Sequence, residues 1–521
     1  MLEPLTAINY QKIGMSVAYT IGASLQCGSF LFYERKVRVR VMSYLENLEK
    51  NTTITNTKGG KYYASTYDAN LDIFAGISRY NDTDEIISKY KRALAEDKTL
   101  ALANLLYLLD IRNGKGERLL FKTVFRYLCQ NEKDLALIVL PKIPEFGRWD
   151  YVLEGLDTLV DKEVIAMIKE QLEKDKTSEN PSLLAKWLPS HRTHNVKNEI
   201  AKDLIKKLGI NEKEYRKTLT EIRKKLKLIE TNLTNKDYEN INFESVPTKA
   251  MLKYKESFNR NCNEKYIQYL DAVKKGEKKI NTTGLYCYEI VRNIILGLPV
   301  DRDLLNVMWE NQKDILNGYD KNIMVIADTS GSMQTPNNLP LSNAVGLAIY
   351  IAERNNGAFK DHFITFSENP QMRHIVGKDI VDKVSSFEWE VANTDIDKVF
   401  ELLLNTAEQN RTKQEELPSH LIIISDMEFD EGVYSKQGTN FDGWKKVFEE
   451  KGYKLPKIVF WNVAGNTMGV PVTKFDNDVA MVSGFSTAIL ENILTLENYT
   501  PIDIMIDTLE KYVKILQEEV A

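Results

Sequence analysis

The chain contains 521 residues, of which 43% are hydrophobic and 27% are charged, and its formal net charge is −5. This length exceeds that of one compact core, so two or three domains are expected, and the composition is that of an ordinary globular protein rather than a disordered chain. The four cysteines are widely separated and form no CxxC pair. That pattern argues against a disulfide framework or a zinc ribbon and favours a reducing compartment, so we expect a cytoplasmic protein.

Residues 14–33 form the first distinctive segment, because they carry no charge over about the length of a membrane span. The segment also holds Gln26 and three glycines, and only Lys12 precedes it where a signal peptide would carry its positive charge. Three interpretations remain open: a weak membrane anchor, a buried helix, or an upstream extension of a protein that starts at Met42. We favour the last two, treat residues 1–41 as an N-terminal extension, and expect no contact with a membrane.

Helical periodicity dominates residues 68–310. The runs 84–97 and 98–114 place apolar residues at three- and four-residue spacing, as one face of a helix requires. Similar runs follow, separated by short connectors that carry Gly, Pro, Asn or Asp. They are ERLLFKTVFRYLCQ, KDLALIVLPKI, WDYVLEGLDTLV, KEVIAMIKEQLEK, SLLAKWLP, VKNEIAKDLIKKLG and EKEYRKTLTEIRKKLKLIE. Successive short helices predict an α-helical repeat domain of the HEAT type over residues 42–317 rather than a single bundle.

Positive charge is concentrated in part of this helical region. Between Lys186 and Lys279 there are 23 Lys and Arg against 13 Asp and Glu, although the whole chain is acidic. Aromatic residues are interleaved with these charges, namely Tyr215, Tyr254, Phe258 and Tyr266. A charge run is usually a solvated helix face, but this composition is also that of a surface that binds a phosphate backbone. Both interpretations remain open.

After residue 318 the pattern changes to alternating strands and helices. Five short runs rich in β-branched and aromatic residues are typical of strands buried on both faces. They are NIMVIAD, DHFITFS, SHLIIISD, KIVFWNVAG and DVAMVSGFS. With helical stretches between them, they predict a doubly wound, largely parallel, Rossmann-like sheet over residues 318–500, followed by a C-terminal helix at 501–521. In such sheets ligands bind beyond the carboxyl ends of the strands.

Oxygen donors stand where these strands end. Asp328, Ser330 and Ser332 follow the first strand, Asp426 follows SHLIIISD, and Thr394 precedes a helix in NTDID. Carboxylates and hydroxyls suit a hard divalent cation such as Mg²⁺, or another such as Mn²⁺. The pentapeptide DTSGS alone is most often a turn, but the other two donors should meet it at one edge of the sheet. We therefore predict a metal site, in which the neighbours of Thr394, Asp395 and Asp397, could compete as donors.

Catalytic interpretations of the same stretch each lack a second group. A nucleophilic-aspartate phosphatase would carry a carboxylate at position 330, which is Ser, and a serine hydrolase would need a histidine after a later strand. No histidine follows His420, and no Gly-x-x-x-x-Gly-Lys phosphate loop occurs. We therefore predict no catalytic residue and a protein that is not an enzyme.

The five donors resemble the metal-ion-dependent adhesion site of von Willebrand factor A domains. That family has Asp-x-Ser-x-Ser after its first strand, a Thr in a later loop and an Asp after its fourth strand, and residues 318–500 follow the same order. The resemblance implies that the three hydroxyls ligate the ion and that the two aspartates bind it directly or through water. It also implies that an acidic group of a partner completes the coordination.

A helical-repeat region followed by such a domain resembles the Ro ribonucleoprotein (TROVE) family and, more closely, an uncharacterised family with the same two-part plan. The segments that carry the resemblance are STYDANLDIFAGI, LLYLLDIRNGKGERLLF, IPEFGRWDYV, LLAKWLPS and INFESVPTKAMLKYKESFNR. In the Ro family the repeats close into a ring, single-stranded RNA ends enter the hole, and structured RNA binds the basic outer face.

That resemblance implies a basic RNA-binding surface on the helices. Lys and Arg would neutralise phosphates and give salt-sensitive binding with little base recognition. The leading candidates are Arg216, Lys217, Arg223, Lys224, Lys225 and Lys227, followed by Arg112, Lys115 and Arg118 in RNGKGER. The glycines of RNGKGER would let its backbone approach a phosphate, although the same loop is also typical of a plain helix–helix turn.

Two functions of different classes remain open. The first is a non-catalytic RNA-binding protein of the Ro type with a divalent metal in its A domain. The second is a protein-interaction scaffold whose metal site binds an acidic residue of a partner. We expect a monomer in either case.

Overall fold

The computed structural model describes residues 53–55, 58–191, 197–367, 369–388, 394–430, 440–465, 469–494 and 500–517. The predicted N-terminal extension at 1–41 lies outside these ranges. Among the described helices, none combines the length and the apolar character needed to cross a membrane.

The first part of the chain is a succession of short helices, as its periodicity predicts. In chain order they are α1 (Ala69–Gly76), α2 (Thr83–Glu96), α3 (Lys98–Leu109), α4 (Arg118–Asn131), α5 (Lys133–Val139), α6 (Ile143–Phe146), α7 (Asp161–Thr177), α8 (Leu184–Trp187), α9 (Lys197–Leu208), α10 (Glu212–Lys225), α11 (Ile229–Asn235), α12 (Thr248–Asn261), α13 (Asn263–Lys274), α14 (Cys287–Ile295) and α15 (Arg302–Glu310). Single 3₁₀ turns at Leu140–Lys142 and Phe243–Ser245 join some of them.

Local chemistry explains where these helices begin and which face they bury. Asp97 caps α3 by accepting a hydrogen bond from the backbone N–H of Leu100, which satisfies one of the free amides of the first turn. Along α2 the buried residues Ile86, Tyr90 and Ala93 recur at four- and three-residue spacing. The amphipathic runs therefore form helices for the reason that the sequence suggests.

Two predicted helices differ from expectation. The run 149–160 forms a 3₁₀ helix only at Trp149–Gly155. The run 212–230 is divided into α10 and α11, because Lys227 adopts a φ of 47°, in the left-handed region that ends a helix. In both places a local backbone departure interrupts an apolar pattern that continues through it.

The second part contains a six-stranded mixed sheet. Its strands are β3 (Ile323–Ala327), β4 (His362–Thr365), β5 (Met372–His374), β6 (His420–Ser425), β7 (Lys457–Asn462) and β8 (Val479–Ser483). Their spatial order is β5-β4-β3-β6-β7-β8, and every neighbouring pair is parallel except β4 with β5. All five predicted strands are confirmed, and the antiparallel edge strand β5 is an addition.

Helices cover this sheet and keep its central strands dry. They are α16 (Leu339–Arg354), α17 (Ile380–Ser385), α18 (Ile396–Asn410), α19 (Asn440–Glu450), α20 (Ala488–Leu494) and α21 (Pro501–Gln517). Every residue of β3 and β6 is buried, which explains their continuous apolar sequences. The alternation of strands and helices is therefore that of a doubly wound α/β domain.

The two parts contact each other at both ends of the helical region. The early helix α1 contacts β8, and the late helix α14 lies against α16. The C-terminal helix α21 returns to α3, where the Tyr512 hydroxyl donates to Asp110 Oδ2 at 2.9 Å. The α/β domain is therefore held by helices that are distant from each other in sequence.

A small antiparallel hairpin, β1 (Thr53–Thr55) and β2 (Lys61–Tyr63), precedes the helices. It contacts the second part of the chain, because Tyr63 forms a β-bridge with Val470 and Gly59 forms one with Asp430. The N-terminal side of the described chain thus reaches the edge of the sheet at which the candidate site lies.

Candidate metal centre and basic surface

The strand order places two of the predicted donors at the switch point of the sheet. Chain connections leave β3 for β4 on one side, whereas β6 pairs with β3 on the other, so a crevice is expected beyond the ends of β3 and β6. Asp328 directly follows β3, and Asp426 directly follows β6. The backbone N–H of Asp328 donates to the carbonyl oxygen of Ile424 at 2.9 Å, which continues the ladder past the end of β3.

Short hydrogen bonds fix the carboxylate of Asp328. Its Oδ1 accepts from the backbone N–H of Ser330 at 2.9 Å, and its Oδ2 accepts from the Ser425 hydroxyl at 2.6 Å. The hydroxyl oxygens of Ser330 and Ser332 lie 3.1 Å apart. Asp328 and Ser330 are buried, whereas Ser332 is exposed. The three donors of DTSGS therefore converge on a group that is open to solvent on the side of Ser332.

Thr394 lies in another loop, beside the segment that follows Asp426. It is fully buried, and its carbonyl oxygen accepts from the backbone N–H of Asp430, which ties its loop to the segment that follows Asp426. The two competing carboxylates have other partners: Asp395 caps α18 by accepting from the N–H of Lys398, and Asp397 accepts from the indole N–H of Trp444 at 2.6 Å. Thr394 is therefore the donor of NTDID that is left for the strand-end site.

Two negative charges share this buried edge. Burial and the neighbouring charge of Asp426 raise the pKa of Asp328 to about 6, and the hydrogen bonds from Ser425 and Ser330 oppose that rise. Glu428, two residues further on, is also affected, because burial and Asp426 raise its pKa. A carboxylate that is dry and close to a second carboxylate is stabilised in its charged form by a cation.

The donor set fits a hard divalent cation. It supplies two carboxylates and three hydroxyls without nitrogen or sulfur, which is the chemistry that Mg²⁺ and Mn²⁺ prefer. Within the described ranges no cluster of three or more His, Cys, Asp and Glu could hold a metal. The five predicted donors include only two such side chains, Asp328 and Asp426, and the other three donors are hydroxyls. When bound, the cation would offset the repulsion between Asp328 and Asp426 and polarise a ligand at its open side.

Sequence reasoning missed the contribution of the N-terminal hairpin to this edge. Lys58 Nζ donates to Thr394 Oγ1 and to the carbonyl oxygen of Glu428, each at 3.2 Å. The Tyr62 hydroxyl donates to the carbonyl oxygen of Met427 at 2.7 Å and accepts from the N–H of Phe429 at 2.6 Å. These contacts join residues more than 330 positions apart, so no local signal in the sequence could have identified them.

The predicted RNA contacts on α10 and just beyond it are mostly at the surface. Arg216, Lys217, Lys224, Lys225 and Lys227 are all exposed. Lys217 lies 3.8 Å from Glu221, and Lys225 Nζ donates to the carbonyl oxygens of Lys176 and Ser178. For Lys224 and Lys227, no ion pair with a described residue is formed. These two lysines and Arg216 are the cations of the group that are best placed to meet a phosphate.

Arg223 differs from the other predicted phosphate contacts on α10, because its guanidinium binds other parts of the protein. Its guanidinium donates to the carbonyl oxygens of Ala185 and Leu188 and to the hydroxyl of Ser190, at 2.7, 3.0 and 3.0 Å. Burial lowers its pKa. These contacts hold the segment after α8 against α10, so Arg223 has a structural role and is removed from the predicted phosphate contacts.

Lys115, a second predicted phosphate contact, is also not at the surface. Only 1% of its surface is exposed, and its Nζ donates to the Ser483 hydroxyl at 2.7 Å and to the carbonyl oxygen of Phe74. Burial lowers the pKa of Lys115 to about 7, although nearby Glu117 opposes the change. Its ammonium bridges the helical region and β8, and no phosphate could reach it in this arrangement.

The remaining part of RNGKGER is a tight helix–helix turn. A side chain at Gly114 would collide with the carbonyl oxygen of Tyr107, and one at Gly116, whose φ is 60°, would collide with the Tyr286 hydroxyl. The glycines therefore allow protein to approach protein, which favours the plainer of the two interpretations. Arg112 and Arg118 at its ends are exposed, the first donating to the carbonyl oxygen of Glu145 and the second 3.5 Å from Asp150.

Fold and site together define a two-part protein, a helical region joined to an α/β domain with oxygen donors at the switch point of its sheet. Residues 161–327 match a domain of unknown function, DUF2828, and residues 322–514 match a second, DUF7788. The chain is 30% identical over 501 residues to the uncharacterized protein L728 of Acanthamoeba polyphaga mimivirus, an alignment that covers 87% of each chain. The chain therefore belongs to the same family as that viral protein.

Proposed function

We propose that the protein is a non-catalytic RNA-binding protein of the Ro type whose α/β domain holds a divalent cation. The observation that carries the RNA part is the exposure of Arg216, Lys224 and Lys227 in a region with a large excess of positive charge. Solvated cations without acidic partners neutralise phosphates at little cost, whereas paired ones must first lose their partners.

The arrangement of the helical region adds to this proposal. Its first and last helices both contact the α/β domain, and the Tyr286 hydroxyl at the start of α14 donates to the carbonyl oxygen of Lys115 between α3 and α4. Helices that are distant in sequence thus meet again, a contact that a ring of repeats would also form. The last turn of α10 is also where cations stabilise the helix dipole, so the variant must unfold at the same temperature as the wild type before a loss of affinity is assigned to RNA contacts.

We expect the triple variant Arg216→Glu, Lys224→Glu and Lys227→Glu to bind RNA more than tenfold more weakly than the wild type. The loss arises because three phosphate contacts are replaced by repulsion, and for single-stranded RNA the slope of log K against log salt should fall by roughly 0.7 for each lost contact. Fluorescence anisotropy of a labelled single-stranded RNA, titrated at several salt concentrations, measures both quantities.

A matched control carries the same change in net charge on the α/β domain. Lys413, Lys446 and Lys454 are exposed and lie far from α10 in sequence, so their replacement by Glu should change RNA affinity much less. Equal losses in the two triple variants would reduce the effect to net charge alone. Absence of salt-sensitive RNA binding by the wild type would refute the Ro-type proposal.

A second function is favoured by the position of Asp328, Ser330 and Asp426 beyond the ends of β3 and β6, beside the exposed Ser332. We propose it as the alternative: a scaffold in which a bound cation takes an acidic group of a partner protein. A glutamate-rich peptide should then bind in the presence of Mg²⁺ and be released by a chelator, as measured by calorimetry. Peptide binding that persists in the chelator would exclude a metal-bridged contact.

A further inference from the structure

Lys58 brings a positive charge to the edge of the candidate metal centre. An ammonium has three donors and no acceptor, so the contact of 3.2 Å with Thr394 Oγ1 uses a lone pair of that hydroxyl. A divalent cation at this centre would take the other lone pair of the same Thr394 and would therefore lie close to the ammonium. The structure thus shows a cation of the protein itself on one of the five predicted ligands.

The position of Lys58 is fixed by the backbone around it. Gly59, the next residue, pairs with Asp430, and Tyr62 holds the backbone at Met427 and Phe429 through its hydroxyl. The same loop begins at Asp426. Lys58 is therefore anchored to the segment that carries a predicted metal ligand, and its contact with Thr394 is part of an ordered arrangement of the hairpin.

Electrostatics make this ammonium a resident counter-ion. The edge collects the carboxylates of Asp328, Asp426 and Glu428, and the charge of Lys58 opposes the rise in the pKa of Glu428 that burial and Asp426 cause. The Lys58 ammonium and a divalent cation are both positive, and like charges a few ångströms apart in a partly buried site repel each other strongly. A divalent cation and the Lys58 ammonium therefore compete for the same field of negative charge.

We propose that Lys58 sets the cation affinity of this centre: its ammonium occupies the Thr394 side of the donor group in the metal-free protein and withdraws when a divalent cation takes Thr394 as a ligand. This inference rests on the proposed metal centre and extends it to a residue outside the α/β domain. Because Lys58 belongs to the hairpin β1–β2, metal binding and the seating of the hairpin are coupled.

The first test measures Mg²⁺ affinity by calorimetry on the full chain. Lys58→Met keeps the length of the side chain and removes its charge, so the Kd for Mg²⁺ should fall roughly tenfold. Lys58→Arg retains the charge and should bind Mg²⁺ about as weakly as the wild type. Lys446→Met removes one exposed positive charge elsewhere and controls for net charge.

A second test observes the Lys58 amine directly. Its acetylation by a water-soluble reagent, followed by mass spectrometry, should accelerate several-fold when Mg²⁺ is added to the wild type, because withdrawal from Thr394 exposes the amine. In Asp328→Asn, Mg²⁺ should have no such effect. This measurement needs no variant of Lys58 and so does not depend on how such a variant folds.

These measurements distinguish a failure of the competition by Lys58 from a failure of the metal centre. If Mg²⁺ binds to the wild type and this binding requires Asp328, but Lys58→Met leaves the Kd unchanged or raises it, the competition is refuted while the metal centre stands. If neither the wild type nor Lys58→Met shows saturable binding that Asp328→Asn removes, the metal centre itself is refuted, and the role of Lys58 with it.

Discussion

Replacement of Asp328 by Asn should abolish stabilisation of the protein by Mg²⁺ and leave the metal-free protein at least as stable as the wild type. A ligand that binds only the folded state stabilises it by about 2.7 kcal/mol at a concentration one hundred times its Kd. The wild type should therefore melt several degrees higher in saturating Mg²⁺ than in a chelator. Thermal unfolding of both proteins, with and without Mg²⁺, is the measurement.

The expectation for the metal-free protein follows from the charges at the sheet edge. Asp328 is fully buried beside Asp426, and this proximity disfavours its ionised form. Asn removes that repulsion and keeps an oxygen for the N–H of Ser330, while its amide can donate to the hydroxyl of Ser425. A variant that loses the Mg²⁺ response through misfolding would melt early in the chelator, which distinguishes it from one that has lost only a ligand.

Two further variants test whether the Mg²⁺ response depends on the predicted ligands. Asp84→Asn changes an exposed carboxylate at the start of α2 and should leave the Mg²⁺ response intact. Ser332→Ala removes the exposed hydroxyl of the predicted set and should weaken Mg²⁺ binding less than Asp328→Asn does, since a neutral ligand contributes less than a charged one. An equal rise in melting temperature in the wild type and in Asp328→Asn would show that Mg²⁺ acts elsewhere.

The strands of the α/β domain could be predicted because a strand that is buried on both faces has a continuous run of apolar residues. β3 and β6 are apolar at nearly every position, and a polar residue directly follows β3 and ends β6, which marks the edge of the sheet. The edge strand β5 could not be found in this way. Met372–His374 has only three residues, two of them exposed, so no apolar pattern distinguishes it from a loop.

The residues of the candidate site also differ in whether the sequence alone could identify them. Asp328, Ser330, Ser332 and Asp426 could be identified because each stands within a few residues of a strand end, and strand ends of a parallel sheet meet. Lys58 could not, because 336 positions separate it from Thr394 and only the tertiary fold joins them. A count of charges shows which residues are basic but does not show which of them are exposed to solvent.

Burial removes Lys115 from the predicted phosphate contacts and changes its titration. From the sequence, Lys115 is only a candidate phosphate contact in RNGKGER, whereas the structure places its ammonium between Phe74 and Ser483 in the interior. An ammonium removed from water favours its neutral form, which explains why burial lowers its pKa to about 7. The unfolded chain has no such burial, so there the pKa of Lys115 stays near 10.4.

As pH rises from about 7 to 10, the wild type should therefore gain stability relative to Lys115→Met. In this window the unfolded state binds more protons at Lys115 than the folded state does, so the contribution of Lys115 to the free energy of unfolding increases with pH. Each pH unit contributes about 1.4 kcal/mol, or roughly 3 kcal/mol between pH 7.5 and 9.5. Urea unfolding of the wild type and the variant at both pH values gives the difference.

The comparison between variants isolates this one group. Lys115→Met leaves Ser483 as a donor to the carbonyl oxygen of Phe74, at 3.0 Å, and whatever packing it costs is the same at both pH values. Lys446→Met, an exposed replacement of the same kind, should keep the full pH dependence. Parallel curves for the wild type and Lys115→Met would contradict a buried, weakly basic lysine.

RNA affinity should be the same in Lys115→Met as in the wild type, because this ammonium faces Phe74 and Ser483 and not the solvent. A loss of RNA binding in Lys115→Met would instead support Lys115 as a phosphate contact.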